Sequence, residues 1–224
     1  MKYTTSITDA IAERRNHQTP RVAVCAGAVA VYVIAYLALA LLCAPHGKPH
    51  ANFREGKAVD SMSSVFLGMT CALALANFLL RRDSPDWGKW FWLLMSVAFL
   101  FLALDELLEF HEKFGRYIRK SPIGPTKSFR NWNDVIVILY GVAALAGGLS
   151  FLPEILRFPR FLTFLIVGGV FYCVHTSIDS LWSGHGHTVP EESMKLFAVA
   201  SFMVAALVAH QTIARPNRAP PTVP

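Results

Sequence analysis

The sequence predicts an all-α protein, a polytopic membrane bundle of six transmembrane helices. Three observations carry that reading. First, 54% of the 224 residues are hydrophobic and only 16% are charged, whereas a soluble domain carries about a quarter charged residues. Second, the apolar residues gather into six stretches, each long enough for the roughly 17–25 helical residues that cross a bilayer. Third, Val22–Leu42 is apolar all round, whereas a helix packed into a soluble core is apolar on one face. The same composition excludes a disordered chain, which needs low hydrophobicity. It also excludes a nucleic-acid-binding module, which needs basic residues clustered on polar surface. Four Cys in this length are too few for a disulfide scaffold. The lipid bilayer is therefore the expected surrounding, and nucleic acid is not an expected partner.

The elements follow in chain order. Residues 1–21 form a basic segment before the first span, Val22–Ala44. That span is too long for a cleavable signal peptide, and no small-residue cleavage site follows it. The second span, Val59–Leu80, opens with Asp60 and is closed by Arg81-Arg82-Asp83-Ser84-Pro85-Asp86. The third runs from Trp87 to Phe110. The longest loop, with Ser121-Pro122-Ile123-Gly124-Pro125, leads to the fourth, Trp132–Leu152, where Asn133 and Asp134 suit a helix start. Pro153 and Pro159 bracket a short connection to the fifth, Phe158–Ile178. Pro190 precedes Glu191 and Glu192, acids that favour the first turn of a helix, and the sixth span is Ser193–Ile213. Residues 214–224, with Pro216, Pro220, Pro221 and Pro224, read as an extended, disordered tail. The Trp residues lie near span ends, as an interfacial aromatic belt requires. The Cys residues form no C-x-x-C pair and read as packing residues.

Six spans put both termini on one face, the terminal face. It holds eleven Lys or Arg and five acids, so the whole net charge of +6 lies there. The opposite face, called distal below, balances ten basic residues with ten acids. Lys and Arg set orientation, and on that count the faces nearly tie. The basic segment before the first span breaks the tie and predicts cytoplasmic termini in an inner membrane.

Six of the eight His are also distal: His46, His50, His111, His175, His185 and His187. Asp105 and Glu106 come some 15 residues into the third span, roughly 22 Å along a helix. A charge at depth costs about 2.5–3.5 kcal/mol and marks a functional site by default. On a continuous helix, Asp105, Glu109 and Glu112 share an arc of about 60°, with Glu106 to one side and His111 nearly opposite. In the fifth span Gly168, Tyr172, His175 and Asp179 share a face, and a His four residues before an Asp suits two ligands or an oriented imidazole. Glu191 and Lys195 read as an i,i+4 pair. Carboxylates and imidazoles from three helices suit Zn, Fe or Mn, as in di-iron bundles, although the Glu-x-x-His signature is absent.

Each candidate has a plainer reading. Glu106, Glu109 and Glu112 could mark a helix end emerging into water beside Lys113, Arg116 and Arg119. His175 could bond a neighbouring helix. His46, His50, His185 and His187 could be loop residues, and Asp134 a helix start.

Leu104-Asp105-Glu106, then His111-Glu112, then Glu191-Glu192 opening the last helix, resemble a group of uncharacterised bacterial multi-pass membrane proteins over spans three to six. A looser likeness is to the ceramidase-like membrane hydrolases, which look similar in holding zinc with Asp and His at one membrane face. The chain departs from them in having six spans rather than seven and no His-x-x-x-His in its last helix, so His175-x-x-x-Asp179 would substitute.

The first functional expectation is a metal-dependent hydrolase of a lipid or amide. Its ligands to Zn or Fe are Asp105, Glu109, His175 and Asp179. Glu112 or Glu192 is its general base, supported by Glu106, His111, Asp134 and Glu191. The alternatives are a proton-coupled small-solute transporter using the same acids as relays, and a non-catalytic subunit bound to a membrane-protein partner.

Overall fold

A computed structural model describes residues 2–54, 56–122, 124, 132–182 and 187–214, with the backbone alone for residues 2–21 and Asp134. The Pro-rich tail from residue 215, residues 125–131 of the longest loop, and His185 lie outside the described residues. The described chain is helical, and no strand occurs among the described residues. The helices are α1 (Lys2–Leu42), α2 (Ala58–Arg81), α3 (Lys89–Leu108), α4 (Phe110–Lys120), α5 (Trp132–Ser150), α6 (Leu152–Leu156), α7 (Pro159–Leu181) and α8 (Thr188–Ile213). Five segments are long and apolar enough to cross a membrane: Val22–Leu42 of α1, Pro49–Arg81, and the whole of α3, α7 and α8. In α5 there is a further, shorter apolar stretch, Val135–Ser150. The all-α membrane bundle is thus as the hydropathy pattern predicts.

The helix α8 lies at the centre, with α2 and α7 against it, α3 against α2, and α1 along its outside. Its sequence explains the position. Ala198, Ala200, Ala205, Ala206 and Ala209 are all buried, and small side chains let neighbouring backbones approach where no hydrophobic effect drives helices together. Gly168 of α7 meets it in the same way: a Cβ there would lie 3.0 Å from the Ala198 carbonyl and collide with the Phe202 ring. The outer faces carry the apolar residues expected against lipid tails, such as Val31 and Leu42 of α1 and Val142, Leu145 and Leu149 of α5.

A polar network ties the terminal face together. Glu154 of α6, almost fully buried, accepts from Arg81 at the end of α2, from the Trp92 indole at 2.9 Å and from Arg157 at 3.1 Å. Both arginines also pair with Asp86 of the α2–α3 loop. Gly88 passes so close to Glu154 that a side chain there would displace the carboxylate.

Two expectations are corrected. The third span is not one helix: α3 ends at Leu108, and Glu109 takes a left-handed conformation, φ 54° and ψ 43°. The chain then starts again as α4. The stripe of Asp105, Glu109 and Glu112 therefore does not form, because it required an unbroken helix. The last helix also starts earlier than the sequence suggested, at Thr188. Glu191, Glu192 and Lys195 consequently sit within its first two turns.

Candidate functional site

The distal end gathers ionisable side chains from α2, α3, α7 and α8. At its centre is Lys195, two turns into α8, with 11% of its side chain exposed. Its Nζ lies 2.7 Å from Asp60 Oδ1, 2.6 Å from Glu106 Oε1 and 2.7 Å from Glu192 Oε2. An ammonium has three hydrogens to donate, and here it faces three carboxylates. Only the Asp60 contact has hydrogen-bond geometry. Glu106 Oε1 and Glu192 Oε2 are buried beside the cation without a directed hydrogen bond. The second Asp60 oxygen accepts the Gly56 N–H at 2.8 Å, where a glycine at φ 68° makes the turn into α2. The three carboxylates lie within 4.8 Å of one another, so the cluster carries two more formal negative charges than positive ones.

A second group lies where α7 meets α8. Asp179, His187 and Glu191 each place one ligand atom within 4.8 Å of the others. His187 Nε2 is 3.5 Å from Glu191 Oε2. Its Nδ1 is buried, with no hydrogen-bond partner among the described residues. One turn back on α7, His175 Nδ1 is 3.2 Å from the Glu191 carbonyl. A carbonyl oxygen only accepts, so Nδ1 carries the hydrogen and Nε2 keeps the lone pair. The Tyr172 ring stands 5.7 Å from that imidazole.

The break at Glu109 organises a third pair. Asp105 accepts the His111 N–H at 2.8 Å through Oδ1 and meets His111 Nδ1 at 2.9 Å through Oδ2. It thus serves the exposed donors at the start of α4, as a capping carboxylate does, and orients an imidazole.

The residues singled out from sequence are distributed as follows. Asp179 and Glu191 come together, with His187. Glu106 and Glu192 come together, with Asp60 and Lys195. Asp105 is taken up by His111, and His175 bonds the Glu191 carbonyl. Glu112 is buried against Arg116 at 2.8 Å. Glu109 lies 4.0 Å from Arg116, with 36% of its side chain exposed. The proposed ligand set Asp105, Glu109, His175 and Asp179 forms no group among the described residues: Asp105 is taken by His111, Glu109 lies beside Arg116 and His175 turns to the Glu191 carbonyl. The Asp134 side chain lies outside what is described. Lys195 does not pair with Glu191: its carboxylate partners are on three different elements. It was missed as a hub, and its signal was a lone ammonium inside an apolar span, which is costly without acids around it. Asp60 carried the same signal at the start of α2.

Residues 24–210 match a family described as a domain of unknown function, DUF8692. No curated protein and no solved structure matches the chain, so the likeness to ceramidase-like hydrolases rests on residue placement alone.

Proposed function

The chain belongs to the DUF8692 family, a domain of unknown function, and with no activity to inherit from it we propose a metal-dependent hydrolase that acts on a lipid or amide at the distal membrane face. One observation carries the reading: Asp179, His187 and Glu191 bring an imidazole and two carboxylates within 4.8 Å. That donor set suits Zn or Fe. A bound metal supplies a water activated toward neutral pH. The remaining residues have roles of their own. Glu192, next in sequence to Glu191, has a buried oxygen without a directed hydrogen bond and can take the proton of an attacking water. Lys195 holds that carboxylate in place at 2.7 Å and offers positive charge to a developing oxyanion. His175 Nε2 retains a lone pair for a proton or a substrate hydrogen bond. The group lies at the adjoining ends of α7 and α8, and the ends of spanning helices are where lipid headgroups would meet it. Glu112 is given no part in the chemistry, since Arg116 occupies its carboxylate.

Purified protein is expected to contain about one Zn or Fe per chain by elemental analysis. The double variant Asp179→Ala, His187→Ala should lose it with an unchanged helical circular-dichroism spectrum. Metal-free wild-type protein overturns the proposal. The same reading puts the termini in the cytoplasm and the distal site on the outer side of an inner membrane, on the strength of the basic segment before the first span. A C-terminal reporter active only outside the cytoplasm would reverse that orientation.

A second reading has one observation in its favour. The excess negative charge around Lys195 would suit a proton-coupled carrier. Carriers bind near the bilayer midplane, commonly between repeats, and this cluster stands at the ends of its helices.

A further inference from the structure

The helix α4 has no part in the proposed chemistry, and its surface is of a different kind. It has 11 residues, about 16 Å of helix, too short to cross a bilayer. At 100° per residue Phe110, Phe114, Tyr117 and Ile118 share one face, about 100° wide. Packing leaves that face open: Phe110 is 43% exposed, Phe114 57% and Tyr117 71%. Lys113, Arg116 and Lys120, all exposed, run along its flank within about 60° of one another. The buried side is polar, with Glu112 against Arg116 and Gly115 pressed on Asn133 of α5. Between α4 and Tyr140 of α5 runs an open groove of about 470 Å³, lined by Phe110, Lys113, Phe114 and Tyr117.

A short helix with an aromatic face flanked by cations is built to lie in the membrane interface. Of the possible occupants, charge complementarity selects an anionic lipid: Lys113 lines the apolar groove, and Arg116 and Lys120 lie exposed on the same flank of α4, so cation and apolar wall adjoin as phosphate and acyl chain do. Lys113 spends one donor on the Leu108 carbonyl at 2.6 Å and has two more to give. We propose that α4 and Tyr140 form a binding site for an anionic phospholipid. Lys113 and Lys120 take the phosphate, and Phe110, Phe114 and Tyr117 take the upper part of an acyl chain. The proposal stands independently of any metal at the α7–α8 junction.

The test uses the full-length protein reconstituted in nanodiscs of equal phosphatidylglycerol and phosphatidylcholine, then returned to mild detergent. The lipid that stays bound is measured by mass spectrometry. Wild-type protein should retain phosphatidylglycerol several-fold above the bulk ratio. The variant Lys113→Gln with Lys120→Gln should lose that preference and return to the bulk ratio, with an unchanged melting temperature. A control at other exposed lysines, Lys48→Gln with Lys57→Gln, should keep it, as should wild-type protein in millimolar inorganic phosphate. A bulk lipid ratio on wild-type protein overturns the proposal, and so does an unaltered preference in the α4 double variant. Displacement by inorganic phosphate reassigns the lysines to a soluble anion. A dimer that dissociates on Phe114→Ser without lipid preference reassigns the face to a second copy.

Discussion

The two ends of the bundle solve the same problem differently. At the terminal face two arginines, Arg81 and Arg157, meet two carboxylates, Asp86 and Glu154, with the Trp92 indole completing Glu154. The charges cancel. At the distal face one ammonium, Lys195, meets three carboxylates, and they do not. A neutral, hydrogen-bonded network is a fastening. A network with spare acid is a place for a further cation or a proton to bind. Buried ion pairs contribute little to stability in themselves, but removing one partner is costly because it strands the other. Removing single charges should therefore cost the two ends differently.

The largest effect is expected at Lys195. Lys195→Met strands three carboxylates and should destabilise the fold by about 3–5 kcal/mol. Adding Asp60→Asn and Glu192→Gln should restore part of the lost melting temperature, since two of the three stranded carboxylates are then neutral. A triple variant no more stable than the single one would refute the charge account. Next comes Glu154→Ala, which leaves both arginines on the terminal face with Asp86 as their one remaining carboxylate partner among the described residues. A loss at the lower end of the same range is expected, because Arg157 is half exposed and water can reach it. No second substitution at the distal face should rescue it.

Smaller still is an acid effect at Asp86. Its hydrogen bond from Arg157, then that from the Gly88 N–H, hold its carboxyl below the ordinary carboxylate value. A lowered folded value means that its stabilising contribution is complete above the ordinary value, near 4. It is lost as pH falls through the lowered one. The melting temperature should hold level from pH 8 down to about 4 and fall below that, and Asp86→Asn should flatten the fall. The smallest change is expected from Glu112→Gln. Its partner Arg116 is 47% exposed, and a pair open to solvent on one side is worth at most about 1 kcal/mol.

The span pattern was legible because length and apolarity decide it, and little else in a sequence produces six such stretches. The break at Glu109 was not legible. Helix ends announce themselves through Gly or Pro, and Leu107-Leu108-Glu109-Phe110 contains neither. The deep acids Asp105 and Glu106 could be read as a site because charge inside an apolar span is costly. Their partners could not. Lys195 and Asp60 are 135 positions apart, and no local rule says that α8 lies against α2. His187 was set aside as a residue of a Gly-flanked loop, yet it stands at the very start of α8, where the helix fixes its position beside Asp179 and Glu191.

The left-handed residue at Glu109 sets the bend that joins α3 to α4. Asp105 sits on the last turn of α3 and grips His111 on the first turn of α4 by two bonds, while its neighbour Glu106 touches Lys195. Asp105 and Glu106, one peptide unit apart, thus join the start of α4 to the buried cluster around Lys195.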